Sequence, residues 1–124
     1  MKTKVETPNA PSAKTFLSQA IVSNGFVFVA GQIHSTPDGQ VVAGTVAEKV
    51  KQIMANVEAI LKATESDLNN IVKVTIYVTD MSQMKELNEV YPTYFLEPYP
   101  AREAVCVKEL PLGATIEISV IAAK

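Results

Sequence analysis

Ile71-Val72-Lys73-Val74-Thr75-Ile76-Tyr77-Val78-Thr79 is the stretch that decides the fold. Val72, Val74, Ile76 and Val78 alternate with Lys73, Thr75 and Tyr77. That period of two belongs to a strand with one apolar side. A segment of helical period lies on each side of it. Upstream, Val46, Val50, Ile53, Met54, Val57, Ile60 and Leu61 form one stripe, and Thr45-Val46-Ala47-Glu48 has capping-box spacing. The pattern predicts a helix over 46–63. Downstream, Asp80 and Gln83 repeat the capping spacing, and Met84, Leu87, Val90, Tyr91, Tyr94 and Phe95 form a second stripe. That helix must end by Pro98, and Pro92 should kink or shorten it.

Further out, the strands are shorter. Asn24-Gly25 accepts the positive φ values of a type I′ turn and predicts a hairpin between 20–22 and 26–30. Pro37-Asp38-Gly39 marks a turn. Over 102–107, Arg102, Ala104 and Cys106 alternate with Glu103, Val105 and Val107. Over 115–122, Ile116, Ile118, Val120 and Ala122 alternate with Thr115, Glu117, Ser119 and Ile121. The order is strand, strand, helix, strand, helix, strand, strand, an α+β arrangement in one domain spanning 1–124. Two amphipathic helices cover only one face of such a sheet. Strand parity is read as placing Arg102 and Glu117 together on the other face, with Thr75, Tyr77 and Ser119. The run Phe26-Val27-Phe28-Val29-Ala30 is apolar on both sides. A partly apolar open face calls for self-association, which would create clefts between subunits.

Composition narrows the classes. The 124 residues are 48% hydrophobic and 19% charged, which excludes a disordered chain. A net charge of −2 gives no electrostatic case for nucleic acid. No apolar run approaches the ~20 residues of a membrane span. Met1-Lys2-Thr3-Lys4 begins a segment without a signal-peptide core. One Cys and one His exclude disulfide frameworks and zinc clusters. A reducing, cytoplasmic setting is the simplest expectation.

Gly31-Gln32-Ile33, Asn88, Pro100-Ala101-Arg102 and Ile116-Glu117-Ile118 together resemble the RidA family, also called YjgF-like and often labelled L-PSP endoribonuclease. The resemblance runs from about Ala10 onward. It implies a chorismate-mutase-like fold, a mixed sheet with two helices on one face. It also implies a homotrimer whose sheets face inward and whose sites lie between subunits. It further implies hydrolysis of reactive 2-imino or 2-enamino acids to 2-keto acids and ammonia, with no metal and no organic cofactor. On this resemblance Arg102 and Glu117 are catalytic, and Arg102, Gly31 and Asn88 bind substrate. The chain departs from the family pattern at Leu17, Ala30 and Ala104, where a tyrosine, a serine and a cysteine usually stand. A more apolar pocket, and a preference for larger apolar imino acids, would follow.

The chemistry fits these residue types. A guanidinium fork can hold a carboxylate through two parallel hydrogen bonds, which fixes the neighbouring C=N carbon. A carboxylate across the pocket can then deprotonate a water for attack. Taken alone, the residues leave alternatives open. Arg102 and Glu117 are either this pair or a salt bridge closing a polar face. Asn88 binds substrate or bonds a nearby loop. Gly31 allows close backbone approach or marks a bulge. Cys106 reads as a small buried thiol and His34 as a surface or pocket-rim histidine. Tyr91, Tyr94 and Phe95 read as core. Besides the deaminase, a non-catalytic binder of carboxylate metabolites is a second function class. An endoribonuclease is a third, unsupported by any basic aromatic surface or histidine pair.

Overall fold

In the computed structural model, which describes residues 1–13 and 15–124, six strands make one sheet. They are β1 (Thr3–Val5), β2 (Ala20–Ser23), β3 (Phe26–Ile33), β4 (Ile71–Val78), β5 (Ala101–Cys106) and β6 (Ile116–Ala123). The spatial order is β1-β2-β3-β6-β4-β5. Neighbours run antiparallel except β4 and β5, which are parallel. A parallel pair needs a crossover connection, and the helix α2 (Met84–Val90) supplies it. The longer helix α1 (Val46–Lys62) joins β3 to β4. The architecture is the expected α+β one, with an added edge strand, β1, that no sequence pattern announced.

Local chemistry explains the elements. Asn24 and Gly25 have φ of 51° and 81°, as a type I′ turn requires, and β2 pairs with β3 across them. The capping box of α1 is closed in both directions. The Thr45 hydroxyl accepts from the Glu48 N–H at 3.1 Å, and the Glu48 carboxylate accepts from the Thr45 N–H at 3.0 Å. The apolar stripe of α1 then buries Val50, Ile53, Met54, Val57, Ile60 and Leu61. Opposite them lie Val27, Val29, Val74, Ile76, Val78, Ile116, Ile118, Val120 and Ala122, with Leu87 of α2. Each such Val, Leu, Ile or Met side chain contributes about 1.5–3 kcal/mol on burial.

The second helix is shorter than its stripe. A 3₁₀ turn (Met81–Gln83) precedes α2, and another (Tyr91–Tyr94) follows it. The expected second capping box does not close. The Asp80 carboxylate accepts from the Ser82 N–H at 2.8 Å, while the Gln83 amide donates to the Asp80 carbonyl at 3.3 Å. Pro92 can give no i→i−4 bond, so α2 stops at Val90.

The alternation of β4 breaks at one position. Val72 does not join Val74, Ile76 and Val78 in the core; it is 45% exposed. The β4–β6 register shifts between Ile71 and Lys73, so Val72 is the extra residue of a bulge and Ile71 turns inward instead. No helix among the described residues is long and apolar enough to cross a membrane.

Candidate functional site

Glu117 lies near the middle of the helix-free face. It pairs with Ile33 of β3 on one side and Tyr77 of β4 on the other. Thr75 and Ser119 form the next rung on that face. Beside it the β3–β6 register shifts between Val29 and Gln32, leaving Ala30 and Gly31 in a bulge. Gly31 is therefore a bulge residue, one of its two readings from the sequence, and the group its backbone lets approach in the chain is the Glu117 side chain. A Cβ there would stand 2.9 Å from the Glu117 carboxyl carbon. The bare Gly31 backbone is what lets the carboxylate fold across β3.

Glu117 is half-buried and makes no hydrogen bond or ion pair among the described residues. Burial without a partner raises its carboxyl pKa above the ordinary 4.5. Such a carboxylate is a better proton acceptor than an exposed one and is free to hold a water.

Arg102 occupies the other face. In the parallel β4–β5 ladder it pairs with Val74, and Ala104 pairs with Ile76, so Arg102 points to the helix side at the sheet's edge. Glu103 and Val105 share the face of Thr75 and Tyr77 instead. The parity reading that joined Arg102 to Glu117 is thus corrected, because the partner strand sets the parity of an edge strand and its own residues do not. A salt bridge between the two within one chain is excluded by the same geometry. Arg102 is exposed, and its guanidinium carbon stands 4.9 Å from the Tyr91 ring centroid, over the ring. It takes part in no ion pair among the described residues. Asn88 is exposed on α2, with no hydrogen bond to a loop among the described residues. Gly31 and Glu117 are therefore brought together; Arg102 and Asn88 stand apart from them in the chain.

Two further expectations are overturned. His34 is only 2% exposed. Its Nδ1 meets the Val42 carbonyl at 2.8 Å and its Nε2 accepts from the Thr115 N–H at 3.0 Å. These partners require a neutral ring with the proton on Nδ1, and burial lowers its pKa. The histidine is a structural tie between the end of β3, the loop at Val42 and the start of β6. Cys106 is exposed rather than buried, on the outer strand of the sheet. Cys106 and His34 form no dyad.

The N-terminal segment borders the bulge. The Ala30 N–H donates to the Gln19 carbonyl at 2.9 Å. The buried Gln19 side chain accepts from the Thr7 N–H and donates to the Ala10 and Pro11 carbonyls, which ties down the segment before β2. A concavity of about 930 Å³ is bounded by this segment, including Phe16, Leu17 and Ile21. Arg102, Glu117 and Asn88 do not line it. Leu17, 45% exposed, presents an apolar surface there.

Known proteins share this chain's pattern along its length. The family model described as Endoribonuclease L-PSP matches residues 7–124. A RutC family protein of Aquifex aeolicus is 48% identical over 98% of this chain and 98% of its own. A rat protein named 2-iminobutanoate/2-iminopropanoate deaminase is 43% identical over 95% of this chain and 87% of its own. The crystal structure of yeast Mmf1 aligns at a TM-score of 0.96 and 44% identity, covering 100% of this chain and 99% of that one.

Proposed function

The chain belongs to the RidA family, whose sequence model carries the description Endoribonuclease L-PSP, and from that membership we propose that it hydrolyses 2-imino acids to 2-keto acids and ammonia. The name of the rat relative supports the reaction class. The observation that carries the reading is Glu117: a half-buried, unpartnered carboxylate of raised pKa, folded against a glycine bulge.

Arg102 holds the substrate carboxylate through its free guanidinium donors, and the imine carbon is thereby placed. Glu117 takes a proton from a water as the water oxygen bonds to that carbon. The C=N bond becomes a C–N single bond, and nitrogen takes up a proton. The tetrahedral adduct then collapses: the C–O bond becomes C=O, the hydroxyl proton passes by way of Glu117 to the nitrogen, and the C–N bond breaks to release ammonia. Backbone groups at Gly31 and the Asn88 amide complete the binding set. No metal and no organic cofactor enters these steps.

Because Arg102 and Glu117 lie on opposite faces of one sheet, a shared substrate needs two chains. We infer a homotrimer in which Arg102 of one subunit approaches Glu117 of the next. The helix-free face supports such association, since Phe26 and Phe28 are 42% and 45% exposed and Val105 is 43% exposed. Faces of this kind are covered by partners rather than left to water.

The test generates 2-iminobutanoate from threonine with a dehydratase and traps it with semicarbazide. An active protein lowers the trapped adduct, and Glu117→Gln loses about 10²–10⁴ of that rate. Unchanged adduct would overturn the deaminase reading. Ligand-dependent thermal stabilisation in the same sample would then identify a binder of carboxylate metabolites.

A further inference from the structure

We propose that Tyr91 is a positioning residue for Arg102, a platform that orients the guanidinium while leaving its N–H donors free for a carboxylate. The inference rests on the proposed role of Arg102 and extends it to a residue whose sequence position reads only as core.

Tyr91 stands where α2 ends. Pro92 halts the α-helix and turns the chain into the 3₁₀ turn Tyr91–Tyr94. This places the Tyr91 ring between the core and the edge strand β5. On the core side it packs against Phe95, with ring centroids 4.8 Å apart, and both residues are buried. On the outer side the Arg102 guanidinium lies over it at 4.9 Å. Phe95, Tyr91 and Arg102 thus form a stack anchored at its buried end.

Two features separate this from ordinary packing. Arg102 is otherwise exposed and makes no ion pair among the described residues, so the ring is its principal restraint. A carboxylate partner would orient the guanidinium by consuming the donors that a substrate needs; an aromatic face restrains it through the π cloud and consumes none. In addition, the Tyr91 hydroxyl is buried with no hydrogen-bond partner among the described residues. The hydroxyl therefore contributes nothing by bonding, and the ring face is the working part of the side chain.

The experiment compares wild type, Tyr91→Phe, Tyr91→Leu, Arg102→Ala and the Tyr91→Leu/Arg102→Ala double variant. Affinity for 2-ketobutyrate and the KM and kcat of imine hydrolysis are measured for each. Tyr91→Phe keeps the platform and should stay within about twofold of wild type on both counts. Tyr91→Leu should weaken ketoacid binding by about five- to thirtyfold, mainly through KM. In the Arg102→Ala background, Tyr91→Leu should change nothing further, since the coupled group is gone. A wild-type measurement needs no variant: the Arg102 Nε–Hε NMR signal should show an ordered side chain with a ring-current shift before any ligand is added. A mobile, unshifted Arg102 signal, or Tyr91→Leu binding like wild type while Arg102→Ala does not, overturns the platform alone. Arg102→Ala binding like wild type overturns the clamp on which it rests.

Discussion

Coexpressing two inactive variants tests whether the site is assembled from two chains. Arg102→Ala removes the clamp and Glu117→Gln removes the base. The β4–β5 ladder puts Arg102 on the helix side, while β6 puts Glu117 on the open side. No single chain can present both to one substrate. In a ring where each site draws its arginine from one subunit and its glutamate from the next, a working site needs a Glu117→Gln chain giving Arg102 and an Arg102→Ala chain giving Glu117. Random assortment of equal amounts makes about a quarter of all sites whole, and a purified mixed trimer carries about one good site in three. Distinct affinity tags on the two variants allow the mixed species to be isolated, and the semicarbazide assay reads its rate per site. The parents should each lose about 10²-fold or more. Activity in the mixture at about a quarter of wild type supports the shared site. Mixed trimers no more active than either parent would refute it, because a site confined to one chain cannot be repaired by mixing.

Two pH dependences follow from the burial of single groups. Glu117 must be ionised to accept a proton, and burial raises its pKa above 4.5, so the acid limb of kcat/KM should lie above the ordinary carboxylate range; a limb at or below 4.5 would contradict the assignment. His34 is held neutral, with its folded pKa lowered by burial. Below about pH 6.5 the unfolded chain therefore takes up a proton that the folded one refuses. Stability should fall as pH drops through that point and level off once the folded ring also protonates. Above it the histidine contributes no pH dependence. Thermal unfolding from pH 7.5 to 5, compared between wild type and His34→Gln, should show this slope lost in the variant.

Much of the fold is legible because its signals are local. Asn24-Gly25 carries its turn type in two residues, and Thr45 with Glu48 closes a box three residues wide. The core faces of β4 and β6 follow from strict alternation. Legibility ends where long-range pairing decides. Arg102, Ala104 and Cys106 lie on an edge strand that is exposed at most positions, so hydrophobicity cannot say which face they take. Only the register with Val74, Ile76 and Val78 does so. His34 looks like a loop residue until Thr115, 81 positions away, donates to it. Val72 alternates correctly in the sequence, but a bulge opposite β6 rotates it outward. The candidate residues Gly31 and Glu117 were legible as a resemblance, and their mutual contact was not, since it depends on where the β3 bulge falls. Tyr91 gave a true signal as core that hid its second contact.

The central place of β6 has a consequence for how the molecule assembles. Among the six strands it comes last in sequence, yet it lies between β3 and β4, and Phe26 pairs with Ala123. During synthesis the β2–β3 hairpin can form early, while β4 and β5 close around their crossover soon after they emerge. Until 116–123 arrive, β3 and β4 each present an unpaired hydrogen-bonding edge with nothing to join them. The nascent protein is then two half-sheets waiting for a shared zipper. Pairing at such sequence separation is slow, and exposed edges in that interval invite pairing with other chains. The strand that completes the sheet also carries Glu117, so a molecule arrested before this step would lack its proposed base as well as its core.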